Sequence, residues 1–148
     1  MNIYLEDNGY DVQDYISAVA AVLDLDKYEG DLRIELKSKC DADAGGFCYG
    51  EVDDIDIEIA THVMGEALDI EQIKINIAHE MVHAQQLASG RLLDHGIQIV
   101  DDCLIKVAEW DGEYHTNTPY DDQPWEIDAY GREAQVAQEA KDMLAQWM

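Results

Sequence analysis

A chain of 148 residues with 9 basic and 33 acidic side chains carries a formal net charge of −24, which repels a nucleic-acid backbone at ordinary salt. Hydrophobic residues make up 47%, yet no apolar run reaches the roughly 18 to 20 residues of a membrane span. Nucleic-acid and membrane partners are therefore not expected, and the length suits a single domain, 1–148, with one core and one site.

The start, Met-Asn-Ile-Tyr-Leu-Glu-Asp, has neither the basic residues nor the apolar stretch of a secretory signal. Cys40, Cys48 and Cys103 are odd in number and form no CxxC pair, so a cytoplasmic protein with reduced thiols is expected. The acidity itself has two readings: solubility or salt adaptation, and attraction of a cationic peptide or partner, including mimicry of nucleic acid.

In chain order, a short tail precedes a helix that Asp11 can cap, with Val12, Ile16, Val19, Ala20 and Leu23 at helical spacing. Asp31 to Lys37 alternates Leu32, Ile34 and Leu36 with charged residues, which predicts a strand, and Gly45-Gly46 predicts a turn. Alternation returns from Val52 to Ala60, with Ile55, Ile57 and Ile59 on one side and Asp54, Asp56 and Glu58 on the other. Asp69 opens a long helix with Gln72 at the capping-box position. Its apolar face holds Ile70, Ile73, Ile77, Met81, Ala84 and Ala88, and Gly90 ends it.

Between Arg91 and Tyr120 the pattern supports a strand over Cys103–Trp110, a hairpin turn at Asp111-Gly112 and a short strand from Glu113 to His115. Pro124 suits a helix start, and Trp125, Ala129, Val136, Ala140, Leu144 and Trp147 form a stripe to the end of the chain.

The central helix carries His79-Glu80-Met81-Val82-His83, an HExxH motif. On a helix, residues i and i+4 lie about 40° apart around the axis and about 6 Å apart along it, so both imidazoles can face one ion. Zn2+ is the expected cofactor, held by His79 and His83. Glu80 beside them is the expected general base for water attack on a peptide bond. The bland alternative is a surface helix bearing two histidines and a solvated glutamate.

A third ligand is needed, and a histidine at HExxHxxGxxH spacing is excluded because Gln86 and Ser89 occupy the glycine and histidine positions. Glu126 is favoured, in the first turn of a helix with the small Ala129 three residues on; Asp128 is its rival, and Glu133 and Glu139 are read as solvated. Tyr130 is the leading candidate to steady an oxyanion, with Tyr120 and His115 behind it; the other reading of each is a structural residue. His62 and His95 are read as surface or packing residues, and Trp110, Trp125 and Trp147 as core.

Together, His79-Glu80-Met81-Val82-His83-Ala84-Gln85-Gln86 and the downstream Pro124-Trp125-Glu126-Ile127-Asp128-Ala129-Tyr130 resemble the small gluzincin-type zinc metallopeptidases, including uncharacterised ones encoded by phages. The resemblance spans roughly residues 52–140 and rests on those two motifs. It implies an α+β, zincin-like domain in which a zinc helix and a glutamate helix pack beneath a short mixed or antiparallel sheet. An edge strand above the cleft would hold the substrate backbone. It implies the ligands His79, His83 and Glu126 with Glu80 as base, and a host cytoplasm if the chain is phage-encoded. Larger members place an aspartate four residues after the glutamate ligand, where this chain has Tyr130.

Ile55 to Ile59 is the expected edge strand. If its acidic side chains line the cleft, peptide or protein substrates bearing lysine or arginine should be preferred; the other reading of those side chains is a solvated outer face. The alternative, from a different class, is a non-catalytic acidic interaction protein on the same fold.

Overall fold

The structure, a computed structural model, describes residues 1–147. Its element order is β1 (Asn2–Glu6), α1 (Gln13–Val22), β2 (Asp31–Lys37), β3 (Gly46–Glu51), β4 (Asp54–Ala60), β5 (His62–Val63), β6 (Glu66–Ala67), α2 (Ile70–Ala88), β7 (Leu92–Val100), β8 (Cys103–Trp110), β9 (Glu113–Thr116) and α3 (Pro124–Trp147). This is a mixed α+β fold.

Three sheets form: a four-stranded sheet ordered β1-β2-β4-β3, the small hairpin β5-β6, and the three-stranded β7-β8-β9. Within the first, β1-β2 and β2-β4 are parallel and β3 runs antiparallel to β4. In-register rows such as Ile34 beside Ile57 put the apolar side chains of neighbouring strands on one face. Leu32, Ile34, Leu36, Ile55, Ile57 and Ile59 are buried there in one core with the inward faces of α1, α2 and α3. The opposite face carries the charges, where Arg33 pairs with Asp54 and Asp56, and Lys37 with Glu58.

This corrects the expected edge. β4 lies inside the sheet with its acidic residues turned away from the helices; the edges are β1 and β3, and the edge beside α2 is β3, which begins at Gly46, where a turn is expected. Asn2–Glu6, read as a tail, is a full strand against β2.

α1 starts one residue later than the Asp11 cap requires. Val12 occupies the N-cap, Asp11 has φ 54°, and no side chain caps the helix. At α2 the expected cap forms, with Asp69 accepting the Gln72 N–H at 2.8 Å. The reciprocal half of the capping box does not, because the Gln72 side chain donates to Asn76 instead. Gly90 ends α2 at φ 78°, a backbone conformation that glycine adopts without steric cost.

Asp111 and Gly112 both have positive φ, as a two-residue hairpin turn requires. The β7-β8 hairpin turns the same way on Asp101 and Asp102, without a glycine. Trp147 is 54% exposed rather than in the core, and Trp110 and Trp125 are half-buried against it.

Ile57→Ala empties a fully buried position at the centre of the sheet and should cost about 2–5 kcal/mol, read as a lower urea midpoint. Ile97→Ala, at a residue 71% exposed, should stay within about 0.5 kcal/mol of the parent. Equal losses would contradict the assigned inner face.

Candidate metal centre and cleft

α2 presents His79 and His83 one turn apart on a buried stretch, with ring centroids separated by 4.9 Å and planes at 83°. α3 packs across α2 with Ala129 fully buried, so little side-chain bulk separates the helices near Glu126. Glu126 Oε1 lies 3.0 Å from His79 Nε2 and 3.0 Å from His83 Nε2. One ligand atom from each of the three residues falls within 4.8 Å of the others, a cluster able to hold a metal ion.

The far sides of both rings fix what faces this point. Gln86 donates its amide to Asp128 and to the Trp125 carbonyl, each at 2.9 Å, and both partners can only accept. The Gln86 oxygen must therefore face His83 Nδ1, 2.7 Å away, which has to donate. Likewise His79 Nδ1 donates to the Glu133 carboxylate at 2.8 Å. A neutral imidazole protonated on Nδ1 bears its lone pair on Nε2. Two such lone pairs and a carboxylate oxygen then converge, an arrangement that repels unless a cation sits among them. Two extra protons would create neighbouring imidazoliums, whereas one divalent ion satisfies all three donors and matches the histidine and carboxylate set of zinc sites.

Electrostatics follow from burial and proximity. Burial raises the Glu126 carboxyl, but hydrogen bonds and charge from His79 and His83 outweigh it and bring it down to about 2. For the two imidazoles burial favours the neutral form, and Glu126 and Glu80 reverse this, raising both above the ordinary histidine value. Burial pushes Glu80 up to about 7, with the imidazoles opposing, so its carboxyl sits in the range useful to a general base near neutral pH.

Glu80 lies beneath the edge strand. A methyl group added at Gly46 would sit 3.0 Å from Glu80 Cγ and 3.2 Å from its Oε2, so glycine lets the strand pass this close. His79, His83, Glu80 and Glu126 open into one cleft of about 500 Å³, walled by β3 on one side and by β7, β8 and the 3-10 turn at Tyr120–Asp122 on the other. Cys48 also lines it; burial first, then the negative charge of Glu80, holds its thiol protonated, which disfavours a thiolate nucleophile.

Among the other expected site residues, Asp128 is bound to Gln86 and Arg132 and is not part of the cluster. Tyr130 packs its ring on His79 with centroids 4.5 Å apart, but the residue is 54% exposed and its hydroxyl meets Tyr120 at 2.9 Å. Tyr120 is the member of that pair lining the cleft; its hydroxyl is held protonated by burial, by Tyr130 and by the nearby Glu126 charge. His115 packs edge-on against Trp125 and lies apart from the cluster.

Glu133, expected to be solvated, is instead the partner of His79. Its position seven residues after Glu126, on the stripe that includes Ala129, is the sequence signal that could have found it. Gln86, three residues after His83, is the second missed residue. Glu139 is a surface residue bound to Gln135, His62 bonds Thr61, and His95 stacks on Tyr114.

The chain matches no protein-family model, no curated protein and no solved structure. Among the described residues, no helix is long and apolar enough to cross a membrane.

Partners of zinc-binding imidazoles typically contribute about 10- to 100-fold in affinity. Glu133→Ala should therefore weaken zinc binding by about that factor in a chelator competition, with circular dichroism unchanged. Because both imidazole pKa values are raised, proton-linked stability in the metal-free protein is fully present below about pH 6.5 and is lost as pH rises through the folded values. Zinc must displace those protons, so the rise in Tm on adding zinc should be larger at pH 8 than at pH 6. An equal rise at both would argue against imidazole ligands.

Proposed function

We propose that the chain is a zinc-dependent peptide hydrolase of the gluzincin type, with His79, His83 and Glu126 holding the metal and Glu80 as general base. The observation that carries this reading is the convergence of His79 Nε2, His83 Nε2 and Glu126 Oε1, with both Nδ1 atoms committed elsewhere and Glu80 in the same cleft. A helix pair beneath a mixed sheet with a free antiparallel edge agrees with a small zincin-like domain.

Zinc bound there would supply Lewis acidity, easing deprotonation of water and polarising a carbonyl. Glu80 takes the proton from the attacking water and later delivers it to the departing amine, so one residue acts as base and then as acid. Because Gly45 pairs with Ala60 through a main-chain hydrogen bond, alternation leaves the N–H and C=O groups of Gly46, Cys48 and Gly50 directed away from β4. An extended peptide can add to that edge directly beside Glu80. Tyr120, oriented by Tyr130, can donate to the carbonyl oxygen as it gains negative charge.

Glu80→Gln should lower cleavage of a quenched peptide pool at least about 100-fold while zinc content stays at one per chain. His79→Ala and His83→Ala should each lose the zinc. If Glu80→Gln leaves cleavage unchanged, the hydrolase reading fails. If the parent binds zinc and a protein partner but cuts nothing, the non-catalytic interaction reading takes its place.

A further inference from the structure

The 9 basic residues are vastly outnumbered by 33 acidic ones, and almost every basic side chain has a partner. Arg33, Lys37, Lys39, Arg91, Arg132 and Lys141 form ion pairs. Lys27 and Lys74 lie over the rings of Tyr28 and Tyr15. Only Lys106 has neither kind of contact among the described residues, and it lines the cleft.

Lys106 is exposed on the cleft wall. Lys106 sits on the face of β8 that also presents Ala108 to the cleft, and its cross-strand neighbour is Ile97. Leu104, two residues away on the same face, is 70% exposed. The ammonium thus projects from apolar neighbours, while both its main-chain groups are clamped by Asn117, whose side chain accepts the Lys106 N–H and whose N–H donates to the Lys106 carbonyl, each at 2.9 Å. Asp94, an acidic residue of the β7 wall, accepts the Gly96 N–H at the β7 bulge. No other lysine or arginine lines the cleft.

We infer that Lys106 reads a carboxylate on the substrate, so that the cleft selects peptides with a free C-terminus or an acidic side chain close to the bond that is cut. This rests on the peptide-hydrolase reading and is opposite to the basic preference that β4 carboxylates lining the cleft would have given; they lie on the far face of the sheet. The overall charge of −24 does not forbid it. Lys106 is itself exposed on the cleft wall, and fields from remote surface charges fade beyond a Debye length of about 8 Å at physiological salt, so a carboxylate beside its ammonium meets that charge ahead of the distant acidic surface.

The test measures retention of short acetylated peptide pools on immobilised, zinc-loaded Glu80→Gln protein, which binds without turnover. Matched pools differ only in a C-terminal acid against an amide, or in an interior Glu against Gln. One pair should show about tenfold preference for the carboxylate, the size expected of one charge-assisted hydrogen bond, and which pair does so identifies the source. Adding Lys106→Met should bring that ratio to about one, Lys106→Glu should invert it, and Lys106→Arg should keep it. A ratio near one with Lys106 present, or the same ratio with Lys106→Glu, overturns the assignment. Cleavage by protein with Glu80 intact is scored separately. Carboxylate-selective retention without cleavage removes the hydrolase reading alone, and cleavage with charge-blind retention removes only the role of Lys106.

Discussion

Two imidazole nitrogens each lie 3.0 Å from the same carboxylate oxygen, and contacts behind both rings hold the nitrogens in that direction. Glu133 holds one ring from behind and Gln86 the other, and Gln86 is itself oriented by Asp128 and the Trp125 carbonyl. Such convergence needs a positive charge at its centre. In the metal-free state protons supply it, which is why both imidazoles are raised and Glu126 lowered.

The rest of the fold can be understood as support for that point. The apolar inner face of the sheet buries α2, and the capped start of α2 fixes where its turns begin, hence where His79 and His83 face. Small residues of α3, among them Ala129, Ala137 and Ala140, are buried at its helix contacts and allow close approach, so a carboxylate 43 residues from His83 reaches its nitrogen. Gly46 does the same for the edge strand over Glu80. Glu80 and Glu126 are two carboxylates with opposite shifts, one raised by burial and one lowered by paired imidazoles, as the proposed proton-transfer and ligand roles require.

Much of this was legible in the sequence wherever a pattern had the period of its element. Asp31–Lys37 and Cys103–Trp110 form strands with the expected bounds, and the helix opened by Asp69 puts both histidines where the motif requires. The unread strands lack that contrast. β3 alternates Gly46, Cys48 and Gly50 with larger residues, so its inner face consists of small residues that pack close to the site and looks like a turn. β7 is exposed along most of its length, and its turn at Asp101-Asp102 uses two left-handed aspartates, so neither burial nor glycine marks the hairpin. β1 shows its pairing only through β2, a relation across about 29 residues that no local window contains.

At the site, residue types were readable but directions were not. Glu133 looked like one more acid on a solvated face until the helix crossing turned it toward His79. Asp128, with similar chemistry two residues from Glu126, faces Gln86 and Arg132 because a helix rotates about 200° in two steps. The same uncertainty of face separated Tyr130 from the cleft and left two readings of the β4 carboxylates, of which the outer surface is the one seen.

Zinc-edge anomalous diffraction from crystals grown with the metal should show one strong peak at about 2.0–2.2 Å from His79 Nε2, His83 Nε2 and a Glu126 carboxylate oxygen, with both Nδ1 contacts preserved. Zinc found only at other carboxylates, with these three side chains still bonded to one another, would contradict that ligand set.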